Sequence, residues 1–247
     1  MLPTEQALAL VVRGTDWSET SRIATLWTRE FGKVRALAKG GRRLRSNFEV
    51  AFDLLSVCHV VFIRKSGGLD LLIEAQVAER FGHLRTDLNA LYVGYYVAEL
   101  LDTTQDYDPH PGLFDAALDT IRAFAQPPVD RAGRVSAFEL VWLRELGYMP
   151  RLDTCAGCER DLSGVARGED RVGFSPAVGG VICSKCLPAS RDHRPLSQGA
   201  WNGLRTLANG EPTLPSVIRR EVRQTLGQTV SYVLGRRPRL LGYLDGS

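Results

Sequence analysis

Four of the five cysteines stand in two close pairs, Cys155-x-x-Cys158 and Cys183-x-x-Cys186, with 24 residues between the pairs. Two intervening residues let both sulfurs of a pair converge on one ion, and two such knuckles complete a tetrahedron. Four thiolates suit zinc, with an iron–sulfur cluster as the competing reading. A four-thiolate zinc site has no open position for water or substrate, so the expected cofactor is one structural zinc ion. Gly164, Gly168, Gly173, Gly179 and Gly180 supply turns for a ribbon that folds back on itself. His193 is redundant beside four thiolates, and Cys58, inside an apolar segment, reads as a small buried hydrophobe.

The second group of residues with a chemistry is basic. Lys33–Arg45 (KVRALAKGGRRLR) carries six basic side chains and no acidic one. Lys33, Arg35 and Lys39 alternate with Val34, Ala36 and Ala38, so a strand here puts charge on one face and small apolar groups on the other. Only Leu37 interrupts the charged face. A Gly-Gly turn then leads to Arg42, Arg43 and Arg45. A strand that runs into a basic loop can follow a phosphate backbone, although a short charge run is by default a solvated cluster. Trp17, Trp27, Phe31 and Phe48 lie near the run. Trp17 and Phe48, in loops, suit base stacking, whereas Trp27 at strand spacing suits a core. Arg219, Arg220 and Arg223 read as the solvated face of the last long helix.

Catalytic patterns are missing. Gly32-Lys33 continues into Val34 instead of Ser or Thr, so it is no P-loop, and neither G-x-G-x-x-G nor H-E-x-x-H occurs. His59, His83, His110 and His193 are scattered. Asp102, Asp106 and Asp108 could form an acidic metal site for phosphoryl transfer, but a polar loop closing a helix explains them as well. The expectation is a protein that is not an enzyme.

These residues need elements to hold them. Residues 1–80 read as five strands: Ala7–Arg13, Ser21–Arg29, Lys33–Lys39, Phe52–Ile63 and Leu69–Val77. Hairpin signals fall at Phe31-Gly32 and at Lys65-Ser66-Gly67-Gly68. Five strands with short turns and one longer loop (40–50) fit a small barrel, most commonly an OB-fold. From residue 81 the period is helical. Asp87 caps a helix with Leu88, Leu91, Tyr92, Tyr95 and Ala98 on one face. Further helices span Leu113–Phe124, Asp130–Leu146, Trp201–Leu207 and Pro215–Leu234. The expected fold is therefore mixed β and α: an OB barrel at 1–80, a helical bundle at 81–151 and 191–247, and a zinc segment at 152–190 inserted in the bundle and protruding from it.

Composition agrees with a soluble globular chain of 247 residues, 44% hydrophobic and 24% charged, with a net charge of +3. The charge is uneven: 12 Lys/Arg against 9 Asp/Glu in residues 1–80, 5 against 10 in 81–150, and 14 against 9 in 151–247. No signal peptide or bilayer-length apolar run is visible, and the paired cysteines suit a reducing compartment. The expected location is the cytoplasm.

With these parts in hand, the chain resembles the bacterial RecO family of recombination mediators. The run TSRIATLWTREFGKVRALAKGGRR (Thr20–Arg43) and the CAGC…CSKC quartet carry the resemblance, which extends over the module order of nearly the whole chain. It implies DNA repair without catalysis: binding single- and double-stranded DNA, annealing complementary strands, and placing RecA on single strands coated by single-stranded-DNA-binding protein. The implied partners are RecR, in some species RecF, and that coating protein, with no membrane, and the implied setting is the nucleoid. By position, Arg22, Arg29, Lys33, Arg35, Lys39, Arg42 and Arg43 fall in the family's basic run and become DNA-contact candidates. Arg45 and Lys65 join them on local charge. The tail of the coating protein is acidic, so its receptor should be an apolar pocket with nearby arginine. The rival readings are an RNA-binding OB and zinc-ribbon factor of translation or transcription, a phosphoryl-transfer enzyme, and a structural adaptor with an inert basic run.

Overall fold

The computed structural model describes residues 4–40, 53–125, 129–164 and 172–244. The chain folds as two compact units, Met1–Ala125 and Gln126–Ser247.

In the first unit, β1 (Thr4–Asp16), β2 (Arg22–Thr28), β3 (Gly32–Ala38), β4 (Val57–Ile63) and β5 (Asp70–Glu79) close a barrel in the order β1-β2-β3-β5-β4. The long β1 pairs with β4 through Thr4–Leu10 and with β2 through Ala9–Asp16, and its register shifts between Val11 and Arg13. The parallel pairing of β3 with β5 completes the ring. This is the OB-fold order, closed through the three-residue pairing of Ala36–Ala38 with Asp70–Leu72. Small residues on three strands (Ala7, Ala9, Ala24, Ala36 and Ala38) face inward with Val11, Leu26, Val34, Val60 and Phe62. A narrow barrel needs this mixture of small and large groups to fill its interior. The expected strand from Phe52 starts only at Val57, because Asp53–Ser56 forms a turn in which Leu55 has φ +67°; Phe52 itself lies outside the described residues.

Helices α1 (Leu88–Asp102) and α2 (Pro111–Ala123) belong to the same unit as the barrel. The Asp87 carboxylate accepts from the Asn89 and Ala90 N–H groups and starts α1, as the capping signal requires. Of the α1 face that the apolar spacing suggested, Ala98 is buried, but Leu91, Tyr92 and Tyr95 are only partly so. Ala90, Val93, Tyr96, Val97, Leu100 and Leu101 are buried, while Leu88 is 60% exposed. Both faces carry apolar residues, so periodicity alone could not choose between them.

The second unit contains α3 (Arg131–Glu145), α4 (Gln198–Ala208), α5 (Ser216–Leu234) and the short α6 (Leu241–Leu244). Between α3 and α4 lies a three-stranded sheet, β6 (Val172–Ser175), β7 (Gly180–Ile182) and β8 (Arg194–Leu196), in the order β7-β6-β8. Phe138, Trp142, Trp201, Leu204, Val222 and Leu226 are buried in its core. Two arginines expected on a solvated helix face are used internally. Arg223 is buried against the buried Glu139, and Arg219 pairs with Asp130 at 3.1 Å. Arg220 is exposed, as expected. Among the described residues, no helix is long and apolar enough to cross a membrane.

Candidate nucleic-acid interface and metal centre

The β2–β3 hairpin brings most of the described basic candidates together. Its register sets Trp27 opposite Lys33, Thr25 opposite Arg35 and Ile23 opposite Leu37, all on the outside of the barrel, because Ala24, Leu26, Val34 and Ala36 fill the inside. The turn that joins the strands needs Gly32: its φ is +68°, and a Cβ there would lie 2.1 Å from the Asp108 carbonyl oxygen.

At this turn end the outer face is covered. Trp27 is fully buried, donates from Nε1 to Thr104 Oγ1 at 2.9 Å, and lies nearly parallel to Phe114. Lys33 Nζ donates to the carbonyl oxygens of Asp102 (2.9 Å) and Thr104 and pairs with Asp106 at 3.2 Å. Its side chain is only 12% exposed. A cation at the last carbonyls of α1 also meets the negative end of the helix dipole. Arg29 forms a two-pronged bond with Asp115, with both N···O distances 3.0 Å, and holds that carboxyl below its usual range. These two basic residues tie the barrel to its helices.

At the other end of β3, Arg35 and Lys39 are exposed, with Leu37 half-buried between them. Neither forms an ion pair among the described residues. The β1–β2 turn carries Trp17, 64% exposed, with its backbone N–H bonded to Ser21 O at 3.0 Å. Arg22 begins β2 and is bonded to Asp16 at 2.8 Å. Lys65 is exposed in the β4–β5 loop, where the buried Asp70 accepts from its backbone N–H at 2.9 Å. Asp70 also receives the Tyr107 hydroxyl, and Arg64 lies 3.8 Å over the Tyr107 ring. Burial and the bond to Asp70 push the Tyr107 phenol up, so it stays a proton donor. Arg42, Arg43, Arg45 and Phe48 lie outside the described residues.

A groove of 640 Å³ opens beside the turn at Asp53–Ser56, lined by Leu54, Leu55, Leu84, Leu91 and Tyr95, with Arg22, Arg80 and Arg85 among its basic residues. The apolar spacing of α1 did signal Leu91 and Tyr95, but as core. Both are instead half-buried on the groove wall, beside the exposed Leu54 and the buried Leu55 and Leu84.

The metal centre follows the spacing closely. All four cysteine sulfurs lie within 4.8 Å of one another, and Cys158 and Cys183 are 3.8 Å apart. A tetrahedron of Zn–S bonds of about 2.3 Å has edges near that length. Burial pushes the Cys155 thiol up, but backbone N–H groups of Cys183, Gly157 and Cys158 together bring it down to about 6. Amides pointed at sulfur favour the thiolate a metal requires. The Cys186 thiol, hydrogen-bonded to the Cys158 and Cys183 sulfurs, is pushed up to about 12. The donor set fits one metal ion. Cys58, by contrast, is a barrel core residue whose thiol is raised to about 11 by burial.

The ribbon is anchored rather than merely protruding. The Arg151 N–H donates to the Gly179 carbonyl and the Arg151 carbonyl accepts from the Val181 N–H, both at 2.9 Å, on either side of Gly180, where a Cβ would lie 2.3 Å from the Arg151 oxygen. From α4, Trp201 Nε1 donates to Leu152 O at 2.8 Å, and Arg205 pairs with Asp153 at 2.9 Å while stacking on Trp201. Spacing of the cysteines gave no sign of these two anchors. They were visible only as a tryptophan and an arginine one turn apart on a helix.

The three aspartates considered for phosphoryl chemistry face three different partners: Asp102 faces Arg13 (2.8 Å), Asp106 faces Lys33 (3.2 Å) and Asp108 faces His110 (3.2 Å). They do not converge on one ion. Among the described residues, the cysteine quartet is the one cluster with metal-ligand geometry.

Comparison with known proteins follows the same division of the sequence. Residues 1–81 match the family model "Recombination protein O N terminal", and residues 85–241 match "Recombination protein O C terminal". The chain is 36% identical over 272 residues to the DNA repair protein RecO of Rhodopirellula baltica, covering 96% of this chain and 97% of that protein. It is 36% identical to the DNA repair protein RecO of an Anaeromyxobacter species, covering 96% and 94%. With the Roseiflexus protein of the same name the identity is 32%, covering 96% and 83%. The two family segments meet at residues 81–85, where strands give way to helices, whereas the compact units meet at 125–126.

Proposed function

The chain belongs to the RecO family of DNA repair proteins, and on that premise we propose that it acts as a non-catalytic recombination mediator. It binds single- and double-stranded DNA, anneals complementary strands in the cytoplasm at the nucleoid and, with RecR, helps load RecA onto coated single strands. RecF joins this set in some species. The observation that most supports DNA binding is the open end of β3. There Arg35 and Lys39 stand exposed on an OB barrel whose β1–β2 loop presents Trp17 and whose β4–β5 loop presents Lys65. OB-folds bind strands on this face and these loops, combining phosphate contacts with aromatic stacking. Arg42, Arg43 and Arg45 follow directly in sequence and extend the proposed site. Arg22 stands at its margin, while Arg29 and Lys33 serve architecture first.

The groove of Leu54, Leu91 and Tyr95, with Arg22, Arg80 and Arg85, is proposed as the receptor for the acidic tail of the single-strand-coating protein. Apolar walls bury side chains of the tail, and arginines meet its carboxylates. The four cysteines are proposed to hold one structural zinc, which fixes the ribbon and takes no part in a reaction.

The test is an annealing assay with complementary strands coated by single-stranded-DNA-binding protein, with and without RecR. Acceleration by the protein is the expected result; no acceleration, and no strand binding at low salt, would overturn the reading. Preference for RNA over DNA would move it to the RNA-binding class. Elemental analysis should find one zinc per chain, and iron in its place would identify a cluster.

A further inference from the structure

We propose that the C-terminal unit carries a nucleic-acid groove of its own, which holds a strand by Arg194, Arg236 and Arg237 and stacks a base on Tyr232. The site lies apart in sequence from the barrel and from the cysteine quartet, and it rests on the reading of the chain as a DNA-binding protein. The groove measures 550 Å³. One wall is the end of α5, where Gly235 takes the left-handed conformation (φ +65°) and closes the helix, so that Arg236 and Arg237 leave it in succession, both exposed. The other wall includes β8, an outer strand of the three-stranded sheet, from which Arg194 is exposed.

A pair of arginines after a helix C-terminus has a local explanation, since cations are favoured there. Arg194 does not share it. It comes from a strand, yet lines the same groove, so three arginines line one depression whose described lining has one acidic residue, Asp192. Tyr232 lies in the last turn of α5, before the Gly235 cap, and is 57% exposed. An aromatic ring beside several arginines is the pairing by which strands are held without sequence preference. Among the described residues the lining contains no leucine, isoleucine, phenylalanine or methionine to seat the apolar anchors of an acidic peptide, unlike the groove beside the barrel. Residues 151–247 hold 14 Lys/Arg against 9 Asp/Glu, a balance that also favours a polyanion. A second strand site is what an annealing protein needs if each complementary strand is to be held while the two pair.

The experiment measures the affinity of the full chain for a labelled single strand across a salt series. Three proteins are compared: the unaltered chain, R194A/R236A/R237A and the barrel variant R35A/K39A. The groove variant should lower the slope of log K against log[salt] by about two, from roughly 0.7 per phosphate contact, and should slow annealing. An unchanged slope in the groove variant, while the barrel variant still weakens binding, overturns this site and leaves the barrel reading standing. Failure of the unaltered chain to bind any strand overturns both. If the groove variant loses affinity for a polyglutamate peptide but not for DNA, the groove serves an acidic protein and the proposal falls. A measurement on the unaltered chain guards against misfolding of the variant. A strand substituted with 5-bromouracil should photo-cross-link to the peptide containing Tyr232, and cross-links confined to the barrel would sink the idea.

Discussion

At the turn end of the β2–β3 hairpin, Arg29 and Lys33 are bound to Asp115 and to the C-terminus of α1, and Trp27 is sealed beneath α2. At the other end, Arg35 and Lys39 stand in water on the same strand face as Lys33. The alternating pattern is identical along β3, and the side chains are of the same kind. What differs is what packs against each end. A cation beside helix carbonyls and carboxylates is an internal tie, whereas a cation facing only solvent remains available to a phosphate. A basic run is thus a list of candidates, and helix packing decides which of them reach a ligand.

The sharpest way to break this comparison is Trp27→Ala. Removal of a fully buried indole should cost about 3–5 kcal/mol of stability. In denaturant titrations the midpoint should fall, while the salt slope of DNA binding by the folded variant stays unchanged; a reduced slope would make the turn end part of the DNA site. Lys33→Ala comes next. It leaves the carbonyls that end α1 without their donor and should cost about 1–3 kcal/mol, again with no change in the salt slope. The double variant R35A/K39A should do the reverse. Its stability should stay within about 0.5 kcal/mol of the parent, and its salt slope on single strands should fall by about 1.4. The smallest effect belongs to Arg29–Asp115. Its folded carboxyl titrates below the ordinary value of 3.8, so the pair stabilises above that pH and the contribution is lost as pH falls through the lower folded value. Acid unfolding of Asp115→Asn should therefore be shallower below about pH 4 than that of the parent. Identical acid profiles would show that solvent screening leaves this exposed pair without effect.

Much of the architecture was legible from local chemistry. The β3 alternation, the Asp87 cap and the two CxxC knuckles depend on near neighbours in sequence, and the structure reproduces all three. The errors came where two faces of an element looked equally apolar or equally charged. In α1 the stripe containing Leu88, Leu91 and Tyr95 competed with that containing Val93, Val97 and Leu100, and the second is buried. In α5, Arg223 seemed to lie on a polar face, but it meets Glu139 from a helix more than eighty residues away in sequence. No local signal reports such a partner. Burying one charge is costly alone and tolerable only when another element supplies the opposite charge.

By itself the sequence determined the barrel, the clustered cysteine quartet and the family, because each is written in spacing: period two for strands, two residues between paired cysteines, and the run Thr20–Arg43. Only the tertiary structure decided which cations are internal ties, which face of α1 lines a groove, and that Trp201 and Arg205 hold the ribbon in place. Those outcomes depend on groups brought together from distant parts of the chain. The physical reason is that electrostatic and hydrogen-bonding partners are chosen in space, whereas periodicity and chelate spacing are set along the backbone.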